Sequence, residues 1–378
     1  MDEKKYLDLI IKFRRDLHRI PEVGLELPKT VDYIWKTLES FGLKPGKVGY
    51  GVAVDFGEPP YIAIRADMDA LPITEENDVP YKSTHEGRMH ACGHDAHSAV
   101  LLGLAKYLSE NPPRGGVRLF FQPGEEGYFG AINMIEHGIM DGVELVLGEH
   151  VVNVTQLPPG TVITRKGQFM AAADEFYVKF IGKGGHGSTP HEARDPIVAA
   201  TTYVNSVYVF RARGVPQTHP AVITIGKLVS GTTFNVIPER ATLAGTIRTI
   251  FEEDRKLIPQ RLEEIAKATA QIFDMKVNFE YKPGYDTLIN APEVVDELKE
   301  VVESLNIPFF EAPEPRMGGE DFAYYLKKVP GVFFFINTVN VEKGVTHPNH
   351  SPHFDIDEEK LIIPFKVFIE FLKKRNRL

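Results

Sequence analysis

The chain has 378 residues, 43% hydrophobic and 25% charged, and its single cysteine excludes an internal disulfide. Its length exceeds what one hydrophobic core usually supports, so two domains are expected, and its net charge of -9 argues against a nucleic-acid partner. The first residues mix charged with apolar side chains, unlike a signal peptide, and no apolar run approaches the ~18 residues of a membrane span, so we expect a cytoplasmic protein with no membrane partner.

The first part of the chain alternates helix and strand patterns. Apolar residues at spacings of three and four predict an amphipathic helix from Tyr6 to Leu17 and a second helix from Thr30 to Phe41. Helices are also predicted for Ala96 to Leu108 and for GAINMIEHG. Strands are predicted for YGVAVDF, YIAIRADMDALP, VRLFF and VELVLGEH. This alternation predicts an α/β layer with a largely parallel sheet.

The pattern changes near Asp174, where the order strand, helix, strand, strand, helix, strand begins. This βαββαβ order is typical of a ferredoxin-like α+β unit. Its strands are DEFYVKFIG, HPAVITIGKLVSG, NVIPERATLAGTIRT and KVNFEYKP, and its helices cover Pro196 to Arg213 and Glu252 to Phe273. The α/β style then resumes with a helix from Pro292 to Leu305, the strand GVFFFIN and the helix KLIIPFKVFIEFLKK. We therefore predict one domain of residues 1–173 and 291–378, with a satellite domain of residues 174–290 inserted into it.

Acidic and histidine residues follow four of the predicted strands. A lone histidine or a pair of glutamates is more often a surface feature than a site. In open α/β sheets, however, ligands bind outside the carboxyl ends of the strands, and these clusters would converge on that edge. The clusters are Asp67 and Asp69, Glu125 and Glu126, His150, and the later group of His347, His350 and His353.

The only cysteine lies in the stretch MHACGHDAHS, next to His94. A lone cysteine is usually an inert buried thiol, and that interpretation stays open for Cys92. A thiolate and an imidazole at the start of a helix are also suited to bind a metal ion. One glutamate of the pair could be a further ligand and its neighbour a base. With His150 and one of the later histidines, this makes about five ligands with sulfur, nitrogen and oxygen atoms. That number exceeds the three of a single catalytic zinc and suits two metal ions about 3.5–4 Å apart.

Eight motifs occur in the order of a known group of proteins. They are LHRIPEVGLE, RADMDALPITEE, MHACGHDAH, FQPGEEG, GKGGHGSTPH, NVIPERATLAGTIRT, GGEDF and NHSPHF. With them the chain resembles, over nearly its whole length, the amidohydrolase branch of the dinuclear-metal aminoacylase and carboxypeptidase superfamily. That branch includes N-acyl-L-amino-acid amidohydrolases, auxin-conjugate hydrolases and N-acetyldiaminopimelate deacetylases. The resemblance implies a metal-binding α/β domain with an inserted satellite domain.

The resemblance also implies a set of metal ligands and a general base. Glu125 falls on the position of the base, and His353 competes with His350 for the last ligand position. Asp69 falls where relatives outside this branch have an aspartate that orients a ligand, and the less favoured alternative is that Asp67 and Asp69 form a strand-end turn. The implied ligands are Cys92, His94, Glu126, His150 and His350.

Four further residues receive roles, the first two of them from the resemblance. His186 of GGHGS is expected to reach the active site of a partner subunit and to stabilise the oxyanion, the alternative being an ordinary turn histidine. Asn235 is expected to contact the substrate. Arg248 either binds the substrate carboxylate or forms a salt bridge on a strand face. Gly319, in the loop MGGEDF, is expected to line the substrate pocket.

The activity implied by the resemblance is hydrolysis of the amide bond of N-acyl-L-amino acids by a homodimer with two divalent metal ions per subunit. Zinc fits thiolate and imidazole ligands best, and manganese, cobalt or nickel stay open. Glu125 would take a proton from the attacking water and give it to the leaving amine. A carboxypeptidase or dipeptidase acting on short peptides is the alternative. A cysteine-protease reaction is disfavoured, because it would need an unligated Cys92. A purely structural metal site is also disfavoured, because it would need no base.

Overall fold

The structure of the protein, a computed structural model, describes residues 2–378. The chain divides into two compact units. The first unit contains Met1–Phe169, Ile289–Glu314 and Asp321–Leu378, and the second contains Met170–Leu288 and Pro315–Glu320. Each unit combines helices with a β-sheet, so the predicted α/β fold class is confirmed.

The helices arise where apolar residues recur at helical spacing. In the first of them Ile10, Phe13 and Leu17 form a buried stripe, while charged residues cover the opposite face. In chain order the helices are α1 (Glu3–His18), α2 (Pro28–Ser40), α3 (His94–Glu110), α4 (Gly130–Glu136), α5 (Pro196–Gly214), α6 (Glu252–Ile272), α7 (Pro292–Ser304), α8 (Ala323–Leu326) and α9 (Ile362–Lys374). Along the described chain, none of the helices is both long and apolar enough to cross a membrane.

The strands range from long buried segments to two-residue bridges. One predicted boundary differs: α3 begins at His94, whereas the sequence predicted a start at Ala96. The first turn of that helix therefore carries residues of the CGHD motif. In chain order the strands are β1 (Gly46–Val48), β2 (Gly51–Phe56), β3 (Tyr61–Asp67), β4 (Gly116–Gln122), β5 (Val143–Val152), β6 (Val162–Thr164), β7 (Gly167–Met170), β8 (Ala172–Ile181), β9 (Gly185–His186), β10 (Ala221–Ser230), β11 (Val236–Ile237), β12 (Arg240–Thr249), β13 (Lys276–Tyr285), β14 (Leu288–Asn290), β15 (Phe309–Glu311) and β16 (Gly331–Asn337).

The large sheet of the first unit has the strand order β1-β2-β4-β3-β5-β16-β6-β15. Its four central strands, β4, β3, β5 and β16, run parallel to one another. All seven residues of β3 and of β16 are buried, as expected for strands covered on both faces. The carboxyl ends of these four strands therefore meet at one edge of the sheet.

The second unit contains an antiparallel sheet with the strand order β10-β12-β8-β13. Its apolar core lies between that sheet and helices α5 and α6, with Phe176, Phe180, Tyr203 and Leu262 fully or almost fully buried. This is the predicted βαββαβ arrangement.

One predicted strand of the second unit is wrong. NVIPERATLAGTIRT forms two strands, β11 and β12, which are separated at Pro238. Proline has no N–H with which to continue a ladder of hydrogen bonds, so the strand breaks there. The short segment before the proline pairs with β9, and this pairing places Val236 opposite His186.

Candidate metal centre

The acidic and histidine clusters predicted from the sequence lie at the edge where the central parallel strands end. Asp67 ends β3, the two glutamates follow β4, and His150 lies near the end of β5. Three groups of residues each have their ligand atoms within 4.8 Å of one another. These groups are Cys92 with His94 and His150, Cys92 with Glu126 and His350, and His94 with Glu125 and Glu126. The structure thus brings all five predicted ligands and the predicted base into one cluster.

The start of α3 places Cys92 and His94 in this cluster. Gly93, between them, has a φ of +90°, which favours glycine because other residues rarely adopt it. A Cβ atom at that position would lie 2.3 Å from Cγ2 of Val151, so the close packing also requires glycine. The Cys92 Sγ atom lies 3.3 Å from Nε2 of His150, which is on β5.

Asp69 fixes the backbone of the glutamate pair. Its Oδ1 atom accepts a hydrogen bond of 3.0 Å from the backbone N–H of Glu125, and its Oδ2 atom accepts one of 3.0 Å from that of Glu126. The same carboxylate lies 3.4 Å from Nδ1 of His94. Asp69 is therefore in contact with three residues of the cluster, which is the arrangement expected of a residue that orients ligands.

The hydrogen bonds of His150 determine which of its nitrogens faces the cluster. Its Nδ1 atom lies 2.8 Å from the carbonyl oxygen of Val151, which can only accept, so Nδ1 carries the proton. Burial lowers the pKa of His150 well below its usual value and keeps the ring neutral. The lone pair of Nε2 thus points towards Cys92, as in histidines that bind metal ions.

His97 lies one turn after His94 on α3, but both of its nitrogens are occupied. Its Nε2 atom accepts a hydrogen bond of 2.9 Å from the backbone N–H of Val151. The proton must then be on Nδ1, which donates to Oδ1 of Asp67 at 2.6 Å. His97 therefore links two ligand-bearing segments. The HDAH spacing indicates that His97 shares a helix face with His94, but the motif alone does not assign a role to His97.

The charges of the cluster favour bound cations. Burial, together with the nearby Glu126 and Glu125 carboxylates, raises the pKa of the Cys92 thiol well above its usual value. Burial alone would lower the pKa of His94, but Asp67 and Asp69 outweigh that effect and raise it to about 10. A buried group of carboxylates and a thiol is costly unless positive charge balances it. Protonated His94 supplies some positive charge, and metal ions would replace that proton.

His94 itself tests whether metal ions fit this site. The ring is fully buried, and neither nitrogen makes a hydrogen bond of acceptable geometry. The Nε2 atom lies 4.0 Å from a carboxylate oxygen of Glu125 and 4.0 Å from one of Glu126. These separations are too long for hydrogen bonds, and they leave space between nitrogen and oxygen donors. The mixture of sulfur, nitrogen and oxygen donors therefore fits a site for transition-metal ions.

The three histidines after β16 have different surroundings. Nε2 of His350 lies 3.2 Å from Oε1 of Glu126, inside the cluster. His353 instead lies 3.1 Å from the exposed carboxylate of Glu76, and its ring is tilted by 44° against that of His347, with 5.2 Å between the ring centroids. Of the two competing candidates, the geometry brings His350 and not His353 to the other ligand atoms.

The remaining candidate residues belong to the second unit. His186 is exposed on β9. The carbonyl oxygen of Asn235 accepts a hydrogen bond of 2.9 Å from the N–H of Gly187, so Asn235 and His186 lie on adjoining segments. A Cβ atom placed on Gly319 would lie 3.4 Å from Nη1 of Arg248. The structure therefore brings these four residues together in two pairs.

Comparison with known proteins gives a consistent result. The sequence profile of the peptidase family M20/M25/M40 matches residues 63–374. A thermostable carboxypeptidase 2 from Saccharolobus solfataricus is 40% identical over 371 residues, which cover 95% of this chain and 93% of that protein. An N-acetyl-L-cysteine deacetylase from Bacillus subtilis is 39% identical over 360 residues, which cover 93% of this chain and 85% of that protein.

A solved structure supports the same relationship. It belongs to a Bacillus subtilis protein described as a dinuclear metal-binding peptidase of the M20 family. The two chains are 33% identical and superpose with a TM-score of 0.83, covering 97% of this chain and 98% of the other. The resemblance inferred from the motifs is confirmed, and the chain belongs to the peptidase family M20/M25/M40.

Proposed function

We propose that this protein hydrolyses the amide bond of N-acyl-L-amino acids with the help of two divalent metal ions. The observation that carries the proposal is the single cluster of Cys92, His94, Glu126, His150 and His350, with Glu125 beside it. Membership of the family and the names of its relatives support hydrolysis of an amide bond. The metal ligands proposed are those five residues, and Asp69 orients two of them, His94 and Glu126.

The proposed reaction depends on a proton transfer by Glu125. Metal ions bound at the cluster would polarise the carbonyl group and lower the pKa of the attacking water. Glu125 takes the proton of that water and returns it to the nitrogen of the leaving amino acid. Its carboxylate lies 4.0 Å from His94, so it is close to the ligands, and its backbone is held by Asp69. The products are a carboxylic acid and an amino acid.

Residues of the second unit are proposed to bind the substrate. Burial lowers the pKa of Arg248, whose neighbouring carboxylates are Asp174 and Glu175. Desolvation of this kind makes an arginine a good partner for a substrate carboxylate. Gly319, beside its guanidinium, leaves room for that group, and Asn235 contacts the rest of the substrate. The partner subunit's His186 stabilises the oxyanion in a homodimer.

The metal and the compartment are part of the same proposal. Zinc is the metal proposed, because a thiolate and three imidazoles are ligands that it prefers, and manganese, cobalt or nickel would also accept the carboxylate. The single cysteine is in keeping with a reducing compartment, so we propose that the protein works in the cytoplasm.

A panel of substrates tests the proposed reaction. The metal-loaded protein is incubated with N-acetyl and N-benzoyl amino acids, with N-acetyldiaminopimelate and with dipeptides, and the products are identified by mass spectrometry. We expect release of acetate or benzoate together with the amino acid. Absence of hydrolysis across the panel would contradict the proposal.

A second candidate function is peptide hydrolysis at the same centre. It is favoured by the 40% identity to a protein named as a carboxypeptidase. The chemistry would be unchanged, because a peptide bond is also an amide. Release of a carboxy-terminal amino acid from unblocked dipeptides, at rates above those for N-acetyl amino acids, would favour this candidate.

A further inference from the structure

His350 is held in an unusual way for a metal ligand. It lies in the segment that follows β16, its side chain is 55% exposed, and its φ of +69° is uncommon for a residue other than glycine. No regular strand or helix fixes it. Its backbone N–H donates a hydrogen bond of 2.7 Å to the carbonyl oxygen of Ala91, which brings the segment next to Cys92.

The neighbouring residue, Asn349, joins this segment to two others. Its Nδ2 atom donates hydrogen bonds to the carbonyl oxygens of Cys92 at 3.0 Å and of Val151 at 3.1 Å, and it lies 4.0 Å from Sγ of Cys92. Both carbonyl oxygens can only accept, so the amide nitrogen and not its oxygen must face them. One side chain therefore contacts the backbone beside Cys92 and beside His150.

The carbonyl group of Val151 has a second role in this arrangement. It also accepts the hydrogen bond from Nδ1 of His150 that sets the tautomer of that ring. The contacts of Asn349 thus converge on the groups that orient two proposed ligands, while its backbone leads directly into a third. A short, partly buried amide with two fixed acceptors keeps its position better than an exposed imidazole does.

We propose that Asn349 is a positioning residue, which holds His350 against Cys92 and Glu126 and so sets the metal affinity of the centre. The inference rests on the proposed role of His350 as a ligand. Asn349 influences metal binding through the backbone of the ligand-bearing segments and not through the substrate. Loss of its side chain should therefore weaken metal binding and leave the reaction of the fully loaded enzyme almost unchanged.

The test is calorimetric titration of metal-free Asn349→Ala protein with zinc, followed by activity at increasing zinc concentration. Removing a residue that orients ligands typically weakens metal binding about 10–100-fold, and we expect a loss in that range. At saturating zinc, kcat and KM should return to wild-type values. If the alanine variant is not recovered folded, Asn349→Ser, whose side chain is too short to reach both carbonyl groups, replaces it.

Asn153→Ala is the matched control. Its Nδ2 atom donates two hydrogen bonds to the same segment, to the carbonyl oxygens of His347 at 2.8 Å and of Asp355 at 2.9 Å, but it contacts neither His350 nor Cys92. We expect wild-type zinc affinity for this variant. Equal losses in Asn153→Ala and Asn349→Ala would overturn the inference, because general loosening of the segment would then explain both.

His350→Ala separates the inference from the proposal beneath it. If His350→Ala binds zinc weakly while Asn349→Ala binds it as wild type does, Asn349 has no positioning role and the ligand assignment stands. If His350→Ala keeps wild-type affinity, the ligand assignment fails, and the positioning role fails with it.

Discussion

Cys92 lies among carboxylates, and this surrounding distinguishes it from an ordinary buried thiol. An inert cysteine packs against apolar groups, whereas the pKa of this thiol is raised by burial and by the carboxylates of Glu126 and Glu125. A thiolate in that position requires nearby cations. The proposed metal binding gives a physical reason for a cysteine beside His94, and the sequence could indicate this because both residues lie in one short motif.

Other features of the site could not be predicted from residue types. The bonds from Asp69 to two backbone N–H groups depend on the turn that follows β4. The role of His97 depends on its tautomer, which is set by a backbone N–H of a distant strand. A sequence pattern names candidate side chains, but it does not state which atoms of them remain available once the chain has folded.

Glu125→Gln tests the proposed base. Glutamine has nearly the same size but cannot accept the proton, so we expect metal binding to persist while kcat falls by at least about 100-fold. Elemental analysis gives the metal content, and the rate of hydrolysis of an N-acetyl amino acid gives kcat. Glu136→Gln, which removes a charge from the exposed end of α4, is the control. Wild-type turnover in Glu125→Gln would rule out this residue as the base.

Among the secondary-structure elements, α1 and α3 show how the fold supports the site. Oδ2 of Asp95, in the first turn of α3, accepts hydrogen bonds from Nε of Arg14 at 3.0 Å and lies 2.7 Å from Nδ1 of His18. All three side chains are buried, and Asp95 directly follows His94. A buried ion pair of this kind fixes the orientation of one helix against the other. The LHRIPEVGLE motif at the end of α1 thereby contributes a histidine to the support of α3.

Long elements were predictable and short ones were not. Helices such as α6 carry enough residues to show a helical period, and buried strands such as β16 show a continuous apolar run. The three-residue strands β6 and β15 do not, and they owe their pairing to neighbours that are distant in sequence. Pro238 is visible in the sequence as a possible strand break. The alternating pattern on both sides of it nevertheless predicted one continuous strand.

Arg14 and Arg15 offer a matched comparison on α1. Arg14 is buried and paired with Asp95, while Arg15 is 46% exposed and paired with Glu358. We expect Arg14→Met to lower the free energy of unfolding by about 3–5 kcal/mol, because it removes the buried guanidinium and leaves Asp95 with His18 as its remaining partner. Arg15→Met should cost less than about 1 kcal/mol. Urea denaturation of the metal-free proteins measures both values. Equal losses would show that the buried ion pair stabilises the fold no more than the exposed one.

For the whole molecule, the second unit presents apolar residues that suit a dimer. β10 is an edge strand of its sheet, with Val222, Leu228 and Val229 exposed, and α5 exposes Tyr208 and Val209. Edge strands tend to be paired or protected, and symmetric dimers are the commonest assemblies. These features support the proposed homodimer. The limits of the satellite domain at residues 174 and 290 stay a prediction.

Mixing two inactive variants tests whether the dimer completes its own sites. Glu125→Gln lacks the base, and His186→Ala lacks the proposed oxyanion donor. If His186 acts across the interface, a heterodimer of the two has one complete site, and activity should return after dissociation and reassociation. Native mass spectrometry establishes that heterodimers have formed. Heterodimers without activity would mean that His186 acts within its own chain.

The central claim is that the cluster around Cys92 and His94 binds metal ions that the hydrolysis of an amide requires. The most direct measurement is a titration of metal-free protein with zinc, in which bound metal and hydrolysis of an N-acetyl amino acid are followed together. We predict no hydrolysis without metal and full activity at about two equivalents per chain, as for other two-metal hydrolytic centres. Hydrolysis at the full rate by the metal-free protein would contradict the account.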